Sequence, residues 1–211
     1  MDKNFHTENR RKLAEHMAEN DAMLFFSGES IRKSADENFP FFANRNFLYL
    51  TGIQQEQSAL LLLKKGDLVS ECLFALKPNL EQEVWTGRRL TEEELCEKSG
   101  IEGIEDIQNL SRELEELFSF KHVSTLWLCF DARASERSFD IEREFAKQMQ
   151  ARHPHLVIKN SYPLLADLRK IKTPEEIDAI RKAMSITEAG IRRMLDATRA
   201  TGQVKDKGGA Q

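Results

Sequence analysis

Short apolar runs take turns with amphipathic stripes along this chain, and that interleaving constrains its fold more than any single motif. Ala22-Met23-Leu24-Phe25-Phe26, Ser58 to Lys65, Leu68 to Leu76, Val123 to Phe130 and Leu156-Val157-Ile158 have the length and apolar continuity of buried strands. Lys64-Lys65-Gly66-Asp67 supplies the turn of a hairpin between the second and third of these. Thr7 is placed to cap a helix from about Glu8 to Asn20, with Leu13 and Met17 on one face. Thr91 with Glu94 three residues on forms a capping box for a short helix to about Ser99. Leu110, Leu114, Leu117 and Phe118 stripe another helix, and Ile141, Phe145 and Met149 recur at four-residue spacing within Phe139 to Gln150. Strands and helices in this order predict an α/β fold.

Two segments resist a strand or helix assignment. The stretch from Ser27-Gly28 to Pro40 is rich in Ser, Asp, Asn and Pro and reads as a loop. Phe47-Leu48-Tyr49-Leu50 is an apolar segment that stops at Thr51-Gly52. Near the other end, Thr173-Pro174-Glu175-Glu176 combines an N-cap Thr, a Pro in the first helical position and a Glu that closes the capping box. It opens a long helix to about Thr198, with Ile177, Ile180, Met184, Ile191, Met194 and Leu195 on one face. The glycine-rich residues 200–211 hold a single branched aliphatic side chain and are expected to form a disordered tail.

Charge and cysteine content exclude several roles. Lys and Arg number 31 against 35 Asp and Glu, a net charge of −4, which disfavours nucleic acid as a partner because phosphates call for a basic face. From Ala166 onward the bases lead, 10 to 7, so the composition changes near residue 166. Cys72, Cys96 and Cys129 are odd in number and widely spaced, which offers neither a disulfide framework nor a paired metal knuckle; they read as buried thiols. The longest strictly apolar run, Ala59 to Leu63, is far short of the roughly 20 residues that cross a bilayer, so no membrane partner is expected. The polar N-terminus lacks the apolar stretch of a secretory signal, and a cytoplasmic address is the expectation.

No dinucleotide, phosphate-loop, zinc-protease or serine-hydrolase signature occurs. His153-Pro154-His155 is the one close histidine pair; side chains flanking a Pro point apart, so the pair is discounted as a ligand and read as a solvated turn. The acidic runs Glu92-Glu93-Glu94 and Glu113 with Glu115-Glu116 lie on outward helix faces rather than converging on an ion. More informative is Glu83-Val84-Trp85-Thr86-Gly87-Arg88-Arg89. Its ring offers a rigid apolar wall and its guanidinium groups can clamp a carboxylate, a set suited to lining a peptide cleft. A buried Trp under a loop with two solvated Arg is the competing reading.

The same segments carry a family resemblance. Phe42-Ala43-Asn44-Arg45-Asn46-Phe47-Leu48-Tyr49-Leu50-Thr51-Gly52, then Glu83 to Arg89, then Leu168-Arg169-Lys170-Ile171-Lys172-Thr173-Pro174-Glu175-Glu176-Ile177 follow the order and spacing of aminopeptidase P. The chain resembles the N-terminal, creatinase-like domain of a Xaa-Pro aminopeptidase over residues from about 5 to 199. The resemblance implies a mixed sheet flanked by helices across 1–165, a linker and the first helix of a pita-bread catalytic domain across 166–199, and the tail at 200–211. It also implies that the two Mn-like divalent ions, and the Asp, His and Glu residues that hold them, belong to a catalytic domain beyond this helix. No catalytic or metal residue and no bound cofactor is therefore expected in this chain, which reads as a truncated, inactive fragment of an enzyme that cleaves peptides with Pro second. Trp85, Arg88, Arg89, Arg45 and Tyr49 are the expected cleft or subunit-interface residues, and self-association is expected through the helix 174–198 face. A free-standing interaction module without peptidase activity is the alternative. An enzyme with its own site would need converging titratable groups that the sequence does not assemble.

Overall fold

The computed structural model describes residues 1–79, 81, 83, 87–131 and 141–205, with side chains described up to Arg199. Two compact units divide it, Met1–Lys170 and Ile171–Gln211, a few residues beyond the composition change near 166. In the first unit the chain runs α1 (Lys3–Ala14), β1 (Asp21–Phe26), β2 (Arg32–Ser34), β3 (Glu37–Asn38), α2 (Arg45–Thr51), β4 (Ala59–Lys65) and β5 (Leu68–Ala75). It continues through α3 (Glu92–Ser99), β6 (Gly103–Asp106), α4 (Leu110–Phe120), β7 (Thr125–Leu128), α5 (Ile141–Arg152), β8 (Val157–Asn160) and α6 (Tyr162–Lys170). The second unit holds one long helix, α7 (Pro174–Lys205).

Six strands form one sheet in the order β6-β5-β4-β1-β7-β8. The hairpin partners β4 and β5 are antiparallel, with Lys65 opposite Leu68, and β4 is also antiparallel to β1. The pairs β1/β7, β7/β8 and β5/β6 are parallel, so the sheet is mixed. Helices cover both faces, and period-two alternation divides each central strand between two cores. Met23, Phe25, Leu60 and Leu62 face one core with Leu13, Phe47, Leu50 and Leu165 of α1, α2 and α6. Leu24, Leu61 and Leu63 face the other with Leu114, Leu117, Phe118 and Met149 of α4 and α5. The α/β class and the mixed sheet flanked by helices hold.

Several local assignments need correction. Asp2, not Thr7, caps α1: its Oδ1 accepts the Phe5 N–H at 3.0 Å, while Thr7 lies inside the helix and its hydroxyl donates to the Lys3 carbonyl at 3.0 Å. Asp2 gives little signal as a cap because the residues around it are polar as well. Residues 32–38 are not all loop, since β2 and β3 pair as a small two-stranded ribbon. Helix α6 at Tyr162–Lys170 and strand β6 give little apolar signal, since α6 buries only Leu165 and β6, Gly-Ile-Glu-Asp, has a single apolar side chain beyond its glycine. Both capping boxes form: Thr91 with Glu94 starts α3, and Thr173 with Glu176 starts α7. Helix α7 continues to Lys205, beyond the expected end at Thr198, and so takes in part of the stretch expected as a tail; residues 206–211 lie outside the described ones. Among the described residues, no helix is long and apolar enough to cross a membrane.

Arg10 ties the first face together. Its side chain is fully buried, and its guanidinium donates to Glu71 Oε2 at 2.9 Å, to the Leu50 carbonyl at 2.7 Å and to the Ser99 carbonyl at 2.9 Å. Leu50 and Ser99 close α2 and α3, so one cation satisfies carbonyls at two helix C-termini and a carboxylate on β5. Gly52 ends α2 in the left-handed region at φ +70°, where a Cβ would stand 2.6 Å from Nε2 of His6. The His6 ring is fixed beside it by an Nδ1 bond to the Tyr49 carbonyl at 2.9 Å.

Candidate functional site

A polar cleft of about 630 Å³ opens beside the ends of β1 and β4. Four pieces of chain build its walls: the loop after β1 with the β2–β3 ribbon, the turn after α2, the approach to β4, and the segment before α3. Ser30 is drawn in by Glu56, whose Oε2 accepts from the Ser30 N–H at 3.0 Å and from its hydroxyl at 2.5 Å. Gln55 spans two walls, accepting the Leu90 N–H at 2.9 Å and donating to the Leu76 carbonyl at 3.3 Å. Gln54 donates to the Phe41 carbonyl at 3.1 Å. These bonds explain why irregular chain holds a defined shape here: its backbone groups bond to side chains instead of to a strand partner.

Arg88 and Arg89 both line this cleft. Arg88 donates to Glu94 Oε1 at 2.8 Å, and Glu94 uses its other oxygen to accept the Thr91 N–H at 3.0 Å. The Thr91 N–H, and after it Arg88, holds the Glu94 carboxyl below the usual carboxylate range. The Arg89 N–H donates to Glu83 Oε1 at 3.1 Å and its guanidinium to the Lys77 carbonyl at 3.3 Å. Lys98, Asp36, Glu37 and Glu56 complete a wall of mixed charge suited to polar backbone and termini rather than to an apolar ligand. Trp85, with Val84 and Thr86, lies outside the described residues.

Arg45 and Tyr49 do not join the lining of this cleft. Arg45 is exposed and stacks over the Phe42 ring at 5.6 Å. Tyr49 lies edge-on to Phe5 at 5.3 Å and carries the Arg169 guanidinium over its ring at 5.6 Å, packing α2 against α1 and α6. Their spacing of four puts both on α2, but the helix directs Tyr49 toward its neighbours instead of the cleft. Ser30, Gln55 and Glu56, which the sequence reading missed, sit in loops whose only signal was a richness in turn-forming and polar residues.

Two other groups of reactive side chains were placed differently from expectation. His153 is buried, not solvated, and stacks edge-on to Phe118 and His155 at ring distances of 5.3 and 6.0 Å. Its Nε2 stands 3.2 Å from Glu115 Oε2 but without the alignment of a hydrogen bond. Cys129 is buried and receives Asn46 Nδ2 at 3.1 Å, whereas Cys72 and Cys96 are half-buried. Burial pushes the Cys129 thiol up to about 11 and, helped by Glu105 and Glu113, the Cys72 thiol to about 12, so neither supplies a thiolate near neutral pH. Among the described residues, no group of three or more His, Cys, Asp or Glu side chains gathers in a way that could hold a metal ion.

The first unit is thus an α/β domain, a mixed sheet covered on both faces with a polar cleft built by its loops. The Aminopeptidase P, N-terminal domain family matches residues 6–127, and the chain belongs to that family. It is 27% identical to the Xaa-Pro aminopeptidase of Escherichia coli (strain K12) over 195 residues, covering 90% of this chain and 44% of that protein. It is 28% identical to the Xaa-Pro aminopeptidase of Haemophilus influenzae over 196 residues, covering 91% and 42%. A solved structure assigned to aminopeptidase P from Bacillus anthracis superposes with a TM-score of 0.87 at 32% identity, over 90% of this chain and 46% of that one. The chain thus spans under half the length of the relatives it matches.

Proposed function

We propose that this chain provides the N-terminal domain function of a Xaa-Pro aminopeptidase: it shapes one wall of a cleft for peptides with Pro second, contributes subunit contacts, and has no peptidase activity alone. The observation that carries this reading is the pairing of Arg88 and Arg89 on a polar cleft within a domain of that family. Guanidinium groups bind a peptide carboxylate through paired hydrogen bonds, and the loop carbonyls and amides around them suit an extended backbone. A cytoplasmic address and the paired Mn-like ions of the family belong to the same reading. Because no group among the described residues fits such an ion, no catalytic step is assigned to this chain.

The test has two parts. With Mn²⁺ added, the purified chain should release no N-terminal residue from a Xaa-Pro peptide, and measurable turnover sinks the proposal. Titrating the same peptide in an NMR experiment should move amide signals around Arg88, Arg89 and Gln55, and the Arg88→Ala/Arg89→Ala variant should abolish those shifts. Shifts confined to other parts of the domain would reject the cleft as the peptide site. A second reading, a self-associating module, is favoured by the exposed apolar face of α7, on which Ile177, Ile180, Met184, Ile191, Met194 and Leu195 are each 37% exposed or more.

A further inference from the structure

We propose that a cavity at one end of the second core binds a small amphipathic cation, an amine carrying one aromatic ring or a short alkyl chain. It measures about 260 Å³ and lies beside the exit of β1. Its apolar walls come from three directions: Phe26 ends β1, Ile107 and Leu110 lead into α4, and Ile141 opens α5. Alternation along β1 turns Phe26 toward the second core with Ala22 and Leu24, and its ring meets Phe145 edge-on at 5.2 Å. Phe26 and Ile107 are only partly buried and Ile141 is exposed, so the apolar surface of this core is not closed here.

Topology favours a ligand at this place. Strands β1 and β7 are parallel neighbours, yet the connection after β1 carries α2 onto the first core and the one after β7 carries α5 onto the second. Chains that leave adjacent parallel strands toward opposite faces open a crevice outside the carboxyl ends, where α/β proteins hold ligands. Two left-handed residues shape the rim, Gly28 at φ +89° and Gln57 at φ +51°, and the Gln57 N–H donates to the Gly28 carbonyl at 3.0 Å. Glycine adopts that conformation freely, whereas glutamine holds it against the steric preference of its Cβ. Of the residues lining the cavity only Glu29 is charged, and its exposed carboxylate has no ion-pair or hydrogen-bond partner among the described residues. The Ser58 hydroxyl is already committed, donating to the Glu56 carbonyl at 3.2 Å. An apolar floor with one free carboxylate at its mouth suits an ammonium on an apolar body. At roughly 30 Å³ for each water displaced, the space holds about eight or nine heavy atoms, the size of phenethylamine. The polar cleft is lined by different residues, so this site is separate from it.

Titrating the full chain by NMR with phenethylamine, 2-phenylethanol and phenylacetate, which share a ring and differ in charge, tests the site. Phenethylamine should move the amide signals of Gly28, Glu29 and Gln57 with a Kd of about 1 mM, within the range for a ligand of its size. The neutral alcohol should bind about fivefold more weakly at the same residues, and the carboxylate more weakly again. Glu29→Gln should bring the amine to within about twofold of the alcohol. Ile141→Trp, which fills the cavity, should abolish binding of both while circular dichroism reports an unchanged fold. Should that variant fail to fold, Glu29→Gln still decides the point, because it leaves the apolar walls intact. The inference is overturned by an amine that moves none of these signals up to about 10 mM. Equal affinity for amine and carboxylate, a preference that survives Glu29→Gln, or undiminished binding to a folded Ile141→Trp variant each overturns it as well.

Discussion

Arg10 and Arg88 put the same guanidinium into opposite settings within the first unit. Around Arg10, two helix-end carbonyls and Glu71 converge, and none of its side chain reaches solvent. At the cleft Arg88 bonds Glu94 and keeps 66% of its side chain exposed. A buried cation whose donors are all fixed is scaffold, because any movement strands both the charge and the carbonyls it serves. A rim cation in water loses little when its partner changes and remains able to meet a ligand. Residue type therefore does not separate scaffold from site; the number of fixed acceptors around it does.

The sharpest way to break this contrast is Arg10→Ala. Leaving Glu71 and two helix ends without their donor should cost about 3–5 kcal/mol. In a protein of this size that lowers Tm by roughly 6–20 °C, read by thermal unfolding followed by circular dichroism. A loss under about 1 kcal/mol would place Arg10 with the rim arginines. Next is Gly52→Ala, which combines a left-handed backbone with a Cβ driven against the His6 ring and should cost about 1–3 kcal/mol in denaturant unfolding.

A smaller effect comes from His6 on the same face. Burial, and after it the nearby Arg10 and the N-terminal amine, holds its pKa below the ordinary value of 6.5 despite the bond to the Tyr49 carbonyl and the proximity of Asp2. The unfolded chain then takes up the proton more readily, so the stability tied to neutral His6 is present above about pH 6.5 and falls away as the pH drops below it. His6→Gln should flatten that decline when unfolding free energy is measured from pH 7.5 to 5. Smallest is Arg88→Ala, which should change stability by no more than about 0.5 kcal/mol while removing peptide-induced NMR shifts at the cleft. If it destabilised the domain as Arg10→Ala does, the rim would belong to the scaffold.

How much was legible follows from how local each signal is. The capping boxes at Thr91 and Thr173 and the hairpin turn, expected at Lys64-Lys65-Gly66-Asp67 and found one residue on with Lys65 opposite Leu68, were readable because all their partners lie within a few residues. The strand assignments of β1, β4 and β7 held because buried strands are rich in apolar side chains, while β5, buried only at Leu73–Ala75, and the edge strand β8, with no buried residue, were found from shorter apolar stretches. Arg10 sits in the run Asn9-Arg10-Arg11-Lys12, which reads as a solvated face; its acceptors are 40, 61 and 89 residues away. His153 looked exposed beside Pro154, yet α4 brings Phe118 and Glu115 over it. At the cleft, Arg88 and Arg89 are neighbours in the chain and line it together, while the separation of Arg45 and Tyr49 from them was not legible.

The amino-acid sequence by itself determined the α/β class, the starts of α3 and α7, the hairpin and the family, since each depends on neighbours along the chain or on patterns of apolar spacing. Only the tertiary structure decided which arginine is buried, which loops close a cleft and where the histidines and thiols stand. Those outcomes depend on groups dozens of residues apart meeting in space, and the free energy of a charged or polar side chain is set by the partners and solvent it finally encounters.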